Sequence, residues 1–296
     1  MSELSSTPEL SSTPELSSTP ELTSTAGTAE SPIAVAVAQF CPGTNEQCNL
    51  RAMTILATTA AERGARLVVF PEYSAFFEPV LGPGCVAAAQ PLDGTFVTAI
   101  AGLAAELDIA IVAGMLESTA VAGRFSNTLV AVDPRHGLVA TYRKQHLYDA
   151  FGQRESDWVL PGPIEAPHTF RVGDLTVGMQ TCYDIRFPEV TRRLVDAGVD
   201  LVLVPAEWVR GPLKEQHWRT LLTARAVENT VYLAAADQAP PVGVGNSMIL
   251  DPMGVELVTI GETTDVAVAW LSGDRLRTVR AQNPALQLRR FRVVER

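Results

Sequence analysis

Residues 174–189 read Asp-Leu-Thr-Val-Gly-Met-Gln-Thr-Cys-Tyr-Asp-Ile-Arg-Phe-Pro-Glu. Leu175, Val177 and Met179 alternate along a short strand, which runs into Cys182. Pro188 then opens an amphipathic helix that closes at Gly198. A strand–thiol–helix junction of this kind is expected to leave the Cys182 sulfur exposed beside the positive end of a helix. That environment favours a nucleophilic cysteine. Most isolated cysteines are packing residues, so Cys182 needs partners before it implies chemistry.

Working outward, apolar runs alternate with helical patterns from residue 32 to the C-terminal region. Ile33–Phe40 is a buried-type strand, residues 45–64 have helical periodicity, and Arg66–Phe70 is a second strand that stops at Pro71. Such units build sheets covered by helices. A helix is expected over Thr95–Leu107 and a strand over Ile109–Met115. Phe125–Val132 and Leu138–Arg143 form a hairpin through Asp133-Pro134-Arg135-His136-Gly137. Beyond Cys182, a strand at Asp200–Val204 precedes a long helix from Pro212 to Asn229. Strands at Val231–Ala236, Ser247–Leu250, Val255–Thr259 and Asp265–Leu271 follow. The stretch from Asp274 onward is basic and weakly periodic. No linker divides the body, which reads as one α/β domain over residues 31–296.

Residues 1–30 stand apart. SSTPEL recurs with a period of six through Pro8, Pro14 and Pro20. A tract this polar buries too little surface to offset its ordering entropy and is expected to be disordered. It lacks the basic start and apolar core of a secretory signal. Its five glutamates supply half of the chain's net charge of −10. The body is therefore mildly acidic and has no basic stripe, which argues against nucleic-acid binding. No apolar run is long enough to span a bilayer. Cys41, Cys48, Cys85 and Cys182 form no CxxC pair, and His136, His146, His168 and His217 are scattered. Neither a disulfide framework nor a metal site is implied, and a reducing cytoplasmic setting fits.

Three reactive residue types close predicted strands: Glu72 after LVVFP, Lys144 after LVATYR and Cys182 after LTVGMQT. Ligands of open α/β folds bind where strands finish, so one pocket can collect all three. Taken singly, Glu72 and Lys144 are ordinary strand-end charges. Together the three supply a base, a cation and a nucleophile.

FPEYSAF at 70–76, YRKQHLYD at 142–149 and CYDIRFPE at 182–189 resemble, in order and spacing, the signature segments of the nitrilase, or carbon–nitrogen hydrolase, superfamily. The resemblance spans about residues 32–290. Pro205-Ala206-Glu207-Trp208, Arg225–Asn229 and Asp251-Pro252-Met253-Gly254 support it, and FGQRES resembles the segment carrying the family's second glutamate, here Glu155. The form of the nucleophile segment is most similar to the Nit-type amidases, which hydrolyse amides of small keto or dicarboxylic acids, deaminated glutathione among them. The resemblance implies a four-layer α-β-β-α sandwich that pairs as a homodimer, with no metal or organic cofactor. It implies cleavage of a small-molecule amide through a thioester on Cys182, with release of ammonia. Glu72 would be the general base and Glu155 would orient Lys144 or assist the water step. The Lys144 ammonium and the Tyr183 backbone N–H would hold the oxyanion, and Lys144 would favour the Cys182 thiolate. By charge and proximity to these segments, Arg186 or Arg154 is a candidate for a substrate carboxylate, and Trp208, Tyr148 and Phe76 are candidate pocket walls. Asp184, Arg186 and Glu189 would hold the turn after the nucleophile. Loops around residues 74–94, 145–160 and 205–216 would set the substrate. A nitrilase and an N-carbamoyl (ureide) amidohydrolase share the same Glu-Lys-Cys set, and a ligand-binding or thiol-sensing protein is the non-catalytic alternative.

Overall fold

A computed structural model describes residues 31–296; the tail expected over residues 1–30 lies outside the described residues. In chain order the elements are β1 (Ile33–Gln39), α1 (Glu46–Glu62), β2 (Leu67–Val69), α2 (Pro83–Ala88), α3 (Thr95–Leu107), β3 (Ala110–Ser118), β4 (Phe125–Asp133) and β5 (Gly137–Arg143). The second half contains β6 (Phe170–Val172), β7 (Leu175–Met179), α4 (Pro188–Asp196), β8 (Leu201–Ala206), α5 (Lys214–Asn229), β9 (Tyr232–Asp237), β10 (Met248–Leu250), β11 (Glu256–Thr259), β12 (Asp265–Leu271) and α6 (Gly273–Gln282).

The strands form two sheets, in the orders β12-β1-β2-β3-β4-β5 and β11-β10-β9-β8-β7-β6. In each, three central strands are parallel (β1, β2, β3 and β7, β8, β9). Parallel neighbours need crossovers, supplied by α1 and α3 in the first half and by α4 and α5 in the second. Antiparallel strands flank both cores. The halves thus share a topology that no sequence repeat announces.

Side-chain alternation sorts each strand into layers. Val35, Val37, Leu67 and Val69 meet Val177, Met179, Leu201 and Leu203 between the sheets. Ala36, Ala38, Val68 and Ile111 point the other way, against Met53, Ala57, Phe96 and Ile100 of α1 and α3. Val202, Val204 and Leu233 pack likewise on Leu194, Trp218 and Leu222 of α4 and α5. The result is the expected α-β-β-α sandwich. Both faces of the central strands are covered, which is why they read as unbroken apolar runs. Among the described residues no strand of one sheet pairs with a strand of the other, so the apolar layer between them is the main bond joining the halves. Each Val or Leu buried there contributes about 1.5–3 kcal/mol.

The hairpin and the helix over Thr95–Leu107 stand where the sequence placed them. Helix α5 begins at Lys214 rather than Pro212, because Leu213 takes a left-handed φ of 60° and breaks the turn before it. Two short elements, α2 and β6, have no counterpart in the periodicity. Helix α6 buries only Gly273, Leu276 and Val279, too sparse a pattern to read. No helix among the described residues is long and apolar enough to cross a membrane.

Candidate active site

Glu72, Lys144, Cys182 and Glu207 lie just past the C-terminal ends of β2, β5, β7 and β8. At Glu72 the backbone of the β2 loop presses against β3 at Gly114. A Cβ on Gly114 would sit 2.5 Å from the Tyr73 nitrogen and 2.7 Å from Glu72 Cα. Gly114→Ala is therefore expected to displace Glu72, costing about 1–3 kcal/mol in stability. A 1 Å misplacement of a reacting group typically costs about 10²-fold in rate, so turnover should fall more than stability. Chemical denaturation and kcat measured on one preparation would check both.

Glu72 is fully buried, yet each of its oxygens is satisfied. Its Oε1 accepts from Lys144 Nζ at 2.9 Å and from Asn127 Nδ2 at 2.6 Å, and its Oε2 accepts from the Glu207 backbone N–H at 2.6 Å. Lys144, 2% exposed, also donates to Glu155 at 2.9 Å. Glu155 in turn accepts from Tyr73 Oη at 2.9 Å, from the Tyr148 backbone N–H at 2.6 Å and from Asn127 at 3.2 Å. Burial pushes the Glu72 carboxyl up despite the opposing charge of Lys144. Burial alone would lower Lys144, but the charges of Glu155 and Glu72 outweigh it and hold the ammonium well above its ordinary value. The cluster is a lysine clamped between two carboxylates, with every carboxylate oxygen bonded.

Cys182 opens a 3-10 turn over Cys182–Arg186, and the α-helix starts only at Pro188. Its φ is +46°, a left-handed conformation that costs a non-glycine residue about 1–3 kcal/mol. The turn is tied to the Lys144 loop through buried Asp184. That carboxylate accepts from Tyr142 Oη at 2.7 Å and from the His146 backbone at 2.9 Å, while His146 stacks on Phe187. The thiol is not exposed, contrary to the sequence expectation. Cys182 is 5% accessible and meets the outside only through the pocket that it lines, with its S–H directed at the Glu207 carbonyl, 3.4 Å away. Burial, reinforced by the Glu72 charge, pushes the thiol well above its ordinary value, and Lys144 pulls against this without reversing it.

Residues 34–281 match the carbon-nitrogen hydrolase family model. The chain belongs to the carbon-nitrogen hydrolase family. It is 37% identical over 258 residues to the deaminated glutathione amidase of Escherichia coli O157:H7, covering 87% of this chain and 97% of that one. The NitFhit protein of C. elegans superposes with a TM-score of 0.80 at 27% identity, over 88% of this chain and 66% of that chain. A variant amidase from Nesterenkonia sp. AN1, in which acrylamide has added to the active-site cysteine, superposes with a TM-score of 0.70 at 27% identity, over 86% of this chain and 100% of that one.

In this carbon-nitrogen hydrolase, Lys144, Glu155 and Cys182 open onto a cavity of about 330 Å³. Three loops wall it: Phe77–Leu81, residues 148–158 and Glu207–Val209. Tyr148, Tyr183 and Trp208 line it, as does Phe77 rather than its neighbour Phe76, which packs against the adjoining cluster. Arg186 does not reach the wall. Its guanidinium lies over the Trp208 ring at 4.8 Å, with the Tyr183 and Phe151 rings at 5.9 Å and 5.8 Å, beside His217. Glu189 is exposed on the first turn of α4.

Two pocket residues escaped the sequence reading as charged groups. Lys214 lay inside a predicted helix, and Glu207 was read only as part of a supporting segment. Burial and the nearby Glu72 charge push Glu207 well above the usual carboxylate range. Because its folded pKa exceeds its unfolded one, the folded state holds this proton longer. Stability is therefore full below the ordinary carboxylate pKa and falls as pH rises toward the folded value. Glu207→Gln removes that loss. Its melting temperature should match the parent near pH 4.5 and exceed it at pH 8, by about 2–4 °C for each kcal/mol relieved. An equal offset at both pH values would contradict this.

Proposed function

We propose that this hydrolase cleaves the amide of a small carboxylate-bearing acid, with Cys182 as nucleophile. The observation that carries the reading is the buried Glu72–Lys144–Glu155 cluster facing the same cavity as a strained cysteine. The similarity to a deaminated glutathione amidase and to an amidase with a reactive active-site cysteine supports it.

The thiol is protonated at rest, so attack needs a base. Glu72 takes the S–H proton as sulfur adds to the amide carbon, its raised pKa bringing it closer to the proton it must accept. Lys144 Nζ and the Tyr183 backbone N–H, which makes no hydrogen bond among the described residues, hold the resulting oxyanion. Glu72 then passes its proton to the departing nitrogen, and ammonia leaves. Water attacks the thioester with Glu72 again as base, releasing the acid and restoring the thiol. Glu155 keeps Lys144 in place throughout.

Ammonia release from a panel of amides, nitriles and ureides tests the reading. Release from amides supports it; release from nitriles or ureides alone would move the enzyme to another branch, and silence across the panel would sink it. We place the enzyme in a reducing cytoplasm, where the exposed free thiols of Cys41 and Cys48 persist, and expect a homodimer by light scattering. Residues 31–296 are the catalytic unit in this reading. Deleting residues 1–30 should leave kcat/KM within about 2-fold of the full chain, well under the factor of 10 that corresponds to 1.4 kcal/mol.

A further inference from the structure

The cavity is lined by three basic residues, of which one is clamped and one is solvent-exposed beside an aspartate. Lys144 is held by Glu72 and Glu155, and exposed Arg154 lies 3.7 Å from Asp157. Lys214 is different. No carboxylate lies within ion-pairing distance of its Nζ among the described residues, although the residue is largely buried. Among the described residues its Nζ donates a single hydrogen bond, to Tyr148 Oη at 2.8 Å, which leaves two N–H donors unused there. The ammonium sits 4.1 Å from the centre of the Phe151 ring and 5.0 Å from that of Tyr148. Aromatic faces soften the cost of burying a cation but do not replace a counter-ion.

The surroundings add to the imbalance. Among the described residues Arg186, over the Trp208 ring, also lacks a carboxylate partner, and its buried Nε has no hydrogen bond. Burial, together with this second positive charge, draws Lys214 below its ordinary value. Glu207 borders the same cavity but makes no ion pair with Lys214, and it is pushed toward its neutral form. A buried cation without a partner is costly, and an arriving anion would relieve that cost.

We infer that Lys214 is the receptor for the substrate's carboxylate, gripping the acid end of an acyl chain whose other end presents its amide to Cys182. This rests on the amidase reading above and adds the residue that selects the acid. One ammonium with two free donors suits the two oxygens of a carboxylate, and the Tyr148 and Trp208 rings flank it within the cavity. Phe151 projects from the 148–158 loop and Trp208 from the loop after β8, so both loops contribute to selection. Position 214 opens α5, where the stretch GPLKEQHW gave no sign that its lysine turns inward.

The test compares kcat/KM for the monoamide of glutaric acid with that for pentanamide, which has the same chain length and no charge. The parent enzyme should prefer the acid, and Lys214→Met should reduce that preference by about 10- to 100-fold, the range expected for one hydrogen bond to a charged group. Lys214→Arg should restore part of it. A Lys214→Met enzyme that loses activity on both substrates equally, with the preference intact, would overturn the inference and assign Lys214 a structural role. If that variant does not fold, the parent alone decides: equal kcat/KM for the acid and for pentanamide also overturns it. Release of ammonia by the parent from neither amide, together with silence across the amide panel, would instead defeat the amidase reading itself.

Discussion

Cys182→Ala is expected to remove ammonia release altogether while leaving the fold in place. In a covalent mechanism the loss of the nucleophile costs on the order of 10⁶ in kcat. The sulfur borders the open cavity as well as the apolar cluster beneath it, so its removal enlarges existing space and creates no sealed void. The left-handed backbone at this position is a cost that alanine inherits unchanged. The melting temperature should therefore stay within about 2–4 °C of the parent, the shift that 1 kcal/mol produces in a chain of this size. Turnover within tenfold of the parent would eliminate Cys182 as the nucleophile. Unfolding at ordinary temperature would make it a packing residue.

Lys144→Ala should damage both activity and stability. Catalysis loses an oxyanion donor, which alone is worth about 10²–10³ in kcat. The fold loses the cation shared by Glu72 and Glu155, leaving two buried carboxylates facing one another. Breaking a buried ion pair from one side costs about 3–5 kcal/mol. Without Lys144 the Glu72 carboxyl, already pushed up by burial, loses the charge that opposed the rise, so the folded state holds a proton that the unfolded chain releases. The deficit is then smallest below the ordinary carboxylate pKa and grows as pH rises. Thermal melts of parent and variant between pH 4 and pH 8 would display the divergence. Parallel curves would mean that the two carboxylates find other partners.

The sequence carried the layered fold because its strands are covered on both faces, so Ile33–Phe40 and Asp200–Val204 read as unbroken apolar runs between helical segments. It did not carry α6, whose apolar face is only two large side chains wide, or α2, too short for any period to emerge. Glu72, Lys144 and Cys182 were legible because each ends a strand within a recognisable segment. Cys182's surroundings were not, since burial is a property of the closed sandwich and not of a strand–helix junction. Arg186 was misplaced because proximity to Cys182 in sequence says nothing about whether a side chain reaches the cavity. Lys214 was invisible for the converse reason. A lysine on the first turn of a helix ordinarily faces solvent, and only the Leu213 backbone and the aromatic walls turn this one inward.

The reacting groups are divided between the two sheets. Glu72 and Lys144 hang from the first, Cys182 and the Glu207 backbone from the second, and the bond from Glu207 N–H to Glu72 spans the seam. Turnover is therefore a gauge of how closely the two halves sit. A side chain that wedges the interior apart by a fraction of an ångström, at Ala234 for example, would silence the enzyme while both ladders stayed intact and circular dichroism saw a native protein. On heating, chemistry should fail before secondary structure does, because the site depends on the spacing of the halves and the strands depend only on their own neighbours.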